Sequence, residues 1–219
     1  MFEEKADYIV HEILKLSKEE LASVMELKGN LLEEVYQVYK GYNRAHYECA
    51  IKSYSGREFK EIDRDNYKTR DWTFLQKHLV ILSALYGALK PLDGIKPYRL
   101  DLRMKVIHNG LYSYWYKDIN ELLKDEDLII NLASSEFSKL VKLPMTSIEF
   151  KEKQEDGSFK IRGTYAKKAR GLMVNYIVKD KITKVNSIKK FNLEGYVYNK
   201  DLSEKKNLVF TRDKGVSNT

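Results

Sequence analysis

The sequence has one cysteine, Cys49, and only three prolines and eleven glycines among its 219 residues. One cysteine excludes an internal disulfide framework, so we expect the reducing environment of the cytoplasm. The low proline and glycine content argues against a collagen-like or linker-rich chain. No stretch reaches the roughly 18 uncharged residues that a membrane helix needs. The start is acidic, at Glu3 and Glu4, where a signal peptide would be basic and then apolar. We therefore expect a cytoplasmic chain without a membrane partner.

Hydrophobic residues make up 43% of the chain and aromatic residues 12%, which is enough for one full-sized core. We therefore expect residues 1–219 to form a single domain. The residue pattern interleaves strands with helices, which is typical of a mixed α/β fold with helices flanking a mixed sheet. The opening segment is helical, and the last third is basic.

Apolar periodicity and capping residues place the predicted elements. A capping box at Ser17 and Glu20 opens the second helix, Gly29 is its predicted C′ residue, and Asn30 is the predicted N-cap of the third. The other predicted helices span 6–14, 72–78, 111–123, 137–141 and 166–177. The predicted strands span 79–82, 98–106, 127–132, 146–153, 159–164, 196–199 and 208–211, with an Asp156-Gly157 turn in the hairpin.

The net charge of +7 is unevenly distributed. Residues 151–219 hold 17 basic and 8 acidic side chains, whereas the other 150 residues hold 22 basic and 24 acidic ones. Such a local excess attracts polyanions, although a solvated lysine-rich face would give the same count.

The segment Tyr165–Gly171, YAKKARG, concentrates cations at the start of a predicted helix. Lys167, Lys168 and Arg170 would lie near the positive end of the helix dipole, where each is mildly unfavourable unless an anion is bound. The alternative to anion binding is that the aliphatic parts of these lysine side chains only cover the edges of the apolar helix face.

A second group of polar residues follows the strand predicted at 79–82. A strand that ends in small and polar residues is typical of the ligand-binding edge of an α/β sheet. We expect Ser83, Tyr86, Asp93, Tyr98 and Arg99 to gather there. Asn131, Ser134 and Glu136 occupy the corresponding end of the strand predicted at 127–132. Helix capping would also explain several of these residues.

Other chemistry has little support in the sequence. The four histidines are scattered, and His46 with Cys49 is the only close pair of soft ligands, so we expect no metal site and no cofactor. Phosphate-loop, nucleophile-elbow and zinc-helix motifs are absent from the sequence.

Several motifs resemble those of the YaaA family of peroxide stress proteins. They are LSALYGALKPLDGIKPYRLDLRMKV, LYSYWYKDI, IINLASSEF, TYAKKARGLM and FNLEGYVY, in this order between about residues 50 and 212. The resemblance implies a cytosolic bacterial protein that protects against peroxide and is associated with limiting free intracellular iron. It also implies a mixed α/β fold with a basic cleft, and DNA binding through a helix–hairpin–helix element.

The sequence departs from this family pattern in two places. The family usually begins with a strand that ends in Ser-Pro-Ala-Lys, and this strand is not found ahead of the first predicted helix. The hairpin between the second and third helices, with Lys28, Gly29 and Asn30, has one glycine where a phosphate-binding hairpin usually has two. Plain helix packing is the alternative role for this hairpin.

Two functions follow from these patterns. The first is sequence-tolerant DNA binding, with phosphate contacts from Lys167, Lys168, Arg170, Arg99 and Lys90, and stacking on Tyr98 and Tyr165. The second is an enzyme that acts on a nucleotide, a base or a phosphorylated small molecule. Its candidate catalytic residues would be Ser83, Tyr86, Asp93, Asn131 and Glu136. We favour DNA binding, and a monomer.

Overall fold

The computed structural model describes residues 2–213. Its contacts group into two compact units that interleave along the chain. The first unit comprises residues 2–53, Leu79–Glu126 and Ala133–Leu143, and the second comprises Tyr54–His78, Asp127–Leu132 and residues 144–213.

The fold is mixed α/β, as the sequence predicts. The helices are α1 (Glu3–Leu14), α2 (Lys18–Met25), α3 (Gly29–Gly41), α4 (Ala50–Ser53), α5 (Arg57–Lys60), α6 (Thr69–His78), α7 (Gly110–Leu123), α8 (Ser135–Ser138), α9 (Gly163–Lys179) and α10 (Val185–Ile188). The strands are β1 (Glu48–Cys49), β2 (Ile81–Ser83), β3 (Gly87–Leu89), β4 (Gly94–Ile95), β5 (Ile130–Asn131), β6 (Thr146–Lys153), β7 (Phe159–Lys160), β8 (Val197–Glu204) and β9 (Asn207–Arg212).

The first unit opens with three amphipathic helices. The predicted capping box of α2 is confirmed: the Ser17 side chain accepts from the Glu20 backbone, and the Glu20 side chain accepts from the Ser17 backbone. The prediction that Gly29 ends α2 is wrong, because Glu26 already takes the left-handed conformation there. Lys28, not Asn30, is the N-cap of α3, and Gly29 is its first residue.

The rest of the first unit is built around α7, whose buried residues recur at helical spacing: Leu111, Trp115, Ile119 and Leu123. Trp115 donates its indole N–H to the carbonyl of Ala84, at 2.8 Å. Trp115 also fills the space beside Gly87, where a Cβ would come within 2.6 Å of the indole ring. Gly87 has φ +68°, so both its backbone and its surroundings require glycine.

The strand predicted over 98–106 does not form. Leu100 and Leu102 are nevertheless buried. The chain turns at Asp101, however, where the Met104 N–H bonds to the Asp101 carbonyl. No strand pairs with this segment in the described part of the chain, because the turn interrupts the extended backbone.

The second unit contains a five-stranded mixed sheet of order β5-β6-β9-β8, with β7 paired to β6. The β5–β6 and β6–β9 pairs are parallel, whereas β8–β9 and β6–β7 are antiparallel. Buried residues of α9 share a core with the sheet residues Phe150 and Phe210. The predicted turn of the β6–β7 hairpin is confirmed, with Gly157 at φ +79°, but β7 ends at Lys160 rather than at Thr164.

The two strands expected to share a ligand-binding edge belong to different sheets. Strand β2 pairs only with β3, antiparallel, whereas β5 is the outer strand of the five-stranded sheet. The local apolar runs predicted a strand at each place, but the observed strands are shorter or shifted, and β5 is only half-buried. The runs carried no information about strand partners. Among residues 2–213, no helix is long and apolar enough to cross a membrane.

Candidate nucleic-acid interface

Helix α9 carries the cationic motif, and it begins at Gly163 with Arg162 as N-cap. The predicted start near Ala166 is therefore three residues late. Lys167 lies in the second turn of the helix and Arg170 in the third, whereas dipole effects are confined to the first turn. The unfavourable interaction of Lys167, Lys168 and Arg170 with the dipole of α9 is therefore weaker than the sequence indicates. The Arg162 side chain makes no capping hydrogen bond.

Lys168 is engaged in an ion pair within its own unit. Its Nζ lies 3.0 Å from a carboxylate oxygen of Glu194, and the other Glu194 oxygen lies 3.8 Å from Arg212. Arg212 in turn bonds Glu152 through Nε, at 2.6 Å. Two cations and two carboxylates therefore form one network, and Lys168 is already neutralised.

Arg212 is sandwiched between two tyrosines. Its guanidinium carbon lies 4.8 Å from the centre of the Tyr165 ring and 4.6 Å from that of the Tyr196 ring. Tyr196 is buried, but Tyr165 is 47% exposed. The cation fixes the orientation of Tyr165 while leaving much of the ring accessible. Arg212 could not be identified from the sequence, because its role depends on β9 lying beside β6.

Arg170 points into the second unit rather than to solvent. It is half-buried, and its Nε and Nη1 lie 3.4 Å from the carbonyl oxygens of Ala166 and Leu132. Burial lowers the pKa of the guanidinium, and the charge of Glu58 opposes this effect. The described residues provide no carboxylate in ion-pair contact with Arg170. Arg170 is therefore a desolvated cation with weak partners.

Three cations near the start of α9 face solvent. Lys160, Arg162 and Lys167 are exposed, and Arg162 donates to the Gln154 side chain at 2.5 Å. Within residues 2–213, none of the three has a carboxylate partner. Four further lysines of the second unit are ion-paired: Lys151 with Glu149, Lys153 with Asp213, Lys179 with Asp63 and Lys181 with Asp71. Three exposed cations without a carboxylate partner therefore lie close together in sequence at the start of α9, and exposed lysines such as Lys184, Lys190 and Lys205 also have none among the described residues.

In the first unit, Ser83, Tyr86 and Tyr98 come together as the sequence predicts. The Ser83 hydroxyl lies 2.8 Å from the Tyr98 hydroxyl and accepts from the Tyr86 N–H at 3.0 Å. The Tyr86 hydroxyl bonds that of Tyr42 at 2.7 Å and accepts from the Lys96 N–H at 3.0 Å. Burial raises the pKa of both Tyr42 and Tyr86. These polar groups satisfy one another in a packed turn.

The loop that follows is held by its own side chains. Asp93 accepts from the backbone N–H of Lys90 at 2.9 Å. Arg99 is 3.7 Å from Asp101 and half exposed at its side chain, and its carbonyl accepts from the Tyr39 hydroxyl at 2.8 Å. Asp93 therefore acts as a turn residue, and Arg99 remains accessible.

The remaining candidates are dispersed. Asn131, in the second unit, donates to the Ser147 hydroxyl at 3.1 Å. Glu136, in the first unit, has one enclosed carboxylate oxygen, with Arg103 3.9 Å away. Lys28, Gly29 and Asn30 are exposed at the start of α3. Among the described residues, no three His, Cys, Asp or Glu side chains converge on a possible metal position.

The described residues thus combine a mixed α/β fold with exposed cations at the start of α9. A model of the family described as peroxide stress protein YaaA matches residues 1–202, so the chain belongs to this family of peroxide stress proteins. It is 42% identical over 218 residues to a UPF0246 protein of Fusobacterium nucleatum, covering 96% of this chain and 88% of that protein.

Two further relatives extend this similarity. A UPF0246 protein of Clostridium perfringens strain 13 is 38% identical over 230 residues, covering 97% of this chain and 90% of the relative. One of Crocosphaera subtropica is 33% identical over 226 residues, with the same coverage. The family name assigns the chain a role in the peroxide stress response and confirms the resemblance noted from the sequence motifs.

Proposed function

We propose that this protein acts in the peroxide stress response by binding DNA through the basic surface at the start of α9. We define this surface as Lys160, Arg162, Lys167 and Tyr165. The observation that carries the proposal is the grouping of cations at the start of α9: these three cations are exposed within residues 160–167 and lack carboxylate partners among the described residues, whereas Lys151, Lys153 and Lys179 are paired.

Exposed unpaired cations favour a polyanion because each can take a phosphate without first breaking an ion pair. The first backbone N–H groups of α9 add donors at the same place, since the Arg162 side chain does not cap them. Lys168 and Arg170 lie behind this surface. Arg170 adds positive potential, whereas Lys168 is neutralised by Glu194 and would contact phosphate only by leaving it.

The first unit carries its own proposed contacts with nucleic acid. Arg99 and Lys90 are proposed phosphate contacts, and Tyr98 a stacking contact. The hairpin residues Lys28, Gly29 and Asn30 are a further proposed contact, and their exposure supports it. Glu33 on the same helix is paired with Lys18, which reduces its repulsion of a phosphate.

The association with limiting free intracellular iron belongs to the same proposal. Iron that stays unbound reacts with peroxide, and DNA is a vulnerable target, so a DNA-bound protein of this response would act where damage occurs. We assign the chain no iron ligands. The enzyme alternative receives less support, because Ser83, Tyr86 and Asp93 are engaged in the turns around them.

The proposal is tested by fluorescence anisotropy with a labelled duplex of arbitrary sequence over a range of salt concentrations. The variant Lys160→Ala/Arg162→Ala/Lys167→Ala should bind more weakly and have a flatter dependence of log K on log salt. Loss of three phosphate contacts flattens the slope by up to about 2.7, since each contact contributes about 0.9.

A matched control removes the same charge from paired positions: Lys151→Ala/Lys153→Ala/Lys179→Ala. These lysines each face a carboxylate, so this variant should change the salt slope much less. Equal effects of the two triple variants would show that only net charge matters and would overturn the assignment to this surface. Absence of duplex binding by the wild type would overturn DNA binding itself.

A further inference from the structure

A shallow depression lies on the first unit beside α7. It has a volume of about 420 Å³ and is lined by Tyr112, Ser113, Tyr116, Lys139 and Lys142. We call it the α7 groove, because the two tyrosines and the serine belong to α7. Its volume lies in the usual range of ligand sites, but it is open rather than enclosed.

The chemistry of the α7 groove is cationic and aromatic. Lys139 and Lys142 are exposed, and neither has a carboxylate partner among residues 2–213. The described residues that line the groove include no acidic side chain, and the nearby Glu136 acts on Tyr112 by its charge. Tyr116 is 47% exposed, and Ser113 adds an exposed hydroxyl. Two unpaired ammonium groups beside an accessible ring match a phosphate linked to a planar base.

The groove is held in shape by Asn120. Its side-chain amide donates to the carbonyls of Tyr116 and Leu140, at 2.7 and 2.8 Å, and its carbonyl accepts from the Lys142 N–H at 2.7 Å. One side chain therefore ties α7 to the segment that carries Lys142. Tyr112 is also fixed, since its hydroxyl donates to the carbonyl of Glu136 at 3.2 Å. A site whose side chains are already ordered loses less conformational entropy when a ligand binds to it.

We propose that the α7 groove binds an unpaired stretch of a nucleic-acid strand, with a base stacked on Tyr116 and a phosphate held by Lys139 and Lys142. Because it concerns nucleic acid, this inference rests on the proposed function, and it adds single-strand recognition to it. An unpaired strand is required because a base in a duplex is stacked on both faces and cannot cover a tyrosine ring. An open groove also suits a continuing strand better than a small metabolite.

The test compares a labelled oligothymidine with the labelled duplex, again by anisotropy. Tyr116→Leu should weaken binding of the single strand about tenfold while leaving duplex binding within twofold. Tyr116→Phe keeps the ring and should bind as the wild type does. Tyr8→Leu is the matched control, because Tyr8 is 48% exposed, belongs to the same unit and lies outside the groove.

The contribution of the two lysines of the α7 groove is tested with the same anisotropy assay. Lys139→Ala/Lys142→Ala should weaken single-strand binding and flatten its salt dependence by up to about 1.4, at about 0.7 per contact. Lys124→Ala is its control, since Lys124 is already paired with Glu121. Circular dichroism and thermal unfolding verify that each variant is folded.

The outcomes separate the two proposals. One outcome is that duplex binding depends on the α9 surface while single-strand binding is unchanged in the groove variants. This result would refute binding at the α7 groove and leave the proposed function intact. If the wild type binds the duplex but not the single strand, the proposal for the α7 groove is likewise refuted and the proposed function stands. No binding of either probe overturns the proposed function and the groove together. Selective loss of single-strand binding in Tyr116→Leu supports the groove.

Discussion

Gly171 of α9 lies directly against the backbone of α5: a Cβ on Gly171 would stand 2.2 Å from the carbonyl oxygen of Glu58. It would also lie 2.8 Å from the Cβ of Glu61. The obstructing atom belongs to the backbone, so a small side-chain movement cannot relieve the contact. Close packing of the two helices therefore requires glycine in the YAKKARG motif.

We predict that Gly171→Ala lowers the free energy of unfolding by about 3 kcal/mol, because overpacking against rigid backbone forces α5 and α9 apart. Urea denaturation of wild type and variant measures this difference. Gly163→Ala on the same helix is the control, since a Cβ there has no atom within 4 Å and should cost almost nothing. Equal stability of Gly171→Ala and wild type would show that α5 moves away freely.

The Arg212–Glu152 pair gives a second prediction. Both side chains are only 8% exposed, and removing one partner leaves the other as an unpaired buried charge. Arg212→Met should therefore lower the free energy of unfolding by about 3–5 kcal/mol. It should also release the Tyr165 ring, which stacks on the guanidinium.

The double variant Glu152→Met/Arg212→Met tests the reason for this loss. It removes the buried carboxylate together with its partner, so it should be more stable than Arg212→Met alone. Chemical denaturation of the three proteins supplies the comparison. If the double variant is the least stable, the cost comes from lost packing rather than from an orphaned charge, and the electrostatic explanation fails.

Features that depend on local sequence were predicted well. The capping box at Ser17, the apolar faces of α1 and α7, and the Gly157 turn each follow from a few neighbouring residues. The start of α9 was misplaced because Gly163 and Thr164 are weak helix formers, and the structure nevertheless begins the helix there.

Features that depend on pairing between strands distant in sequence were not predicted. Nothing local indicates that β2 and β5 belong to different sheets. The same holds for Glu152 and Arg212, which become neighbours only through the parallel β6–β9 register that pairs them. Of the candidate site, the sequence identified the cationic motif. It could not distinguish Lys168, which Glu194 neutralises, from Lys167, which faces solvent.

Asp71 makes the stability of the second unit sensitive to acid. This nearly buried carboxylate pairs with the ammonium of Lys181 and accepts from the Lys68 N–H at 2.9 Å. The Lys181 hydrogen bond, and then the Lys68 backbone bond, lower the pKa of Asp71 below its ordinary value of 3.8. The unfolded state therefore takes up the proton first as the pH falls.

We predict that ionised Asp71 raises the free energy of unfolding by its full amount above about pH 5. This stabilisation is lost as the pH falls through the lowered pKa. Urea denaturation between neutral pH and about pH 3 measures it. Asp71→Asn should be less stable than the wild type at neutral pH, and the two should converge in acid, because the amide cannot titrate. Asp65→Asn, at an exposed position of the same unit, should keep the wild-type pH dependence. If the difference in free energy of unfolding between Asp71→Asn and the wild type stayed constant across this pH range, Asp71 would stabilise the fold by packing and not by charge.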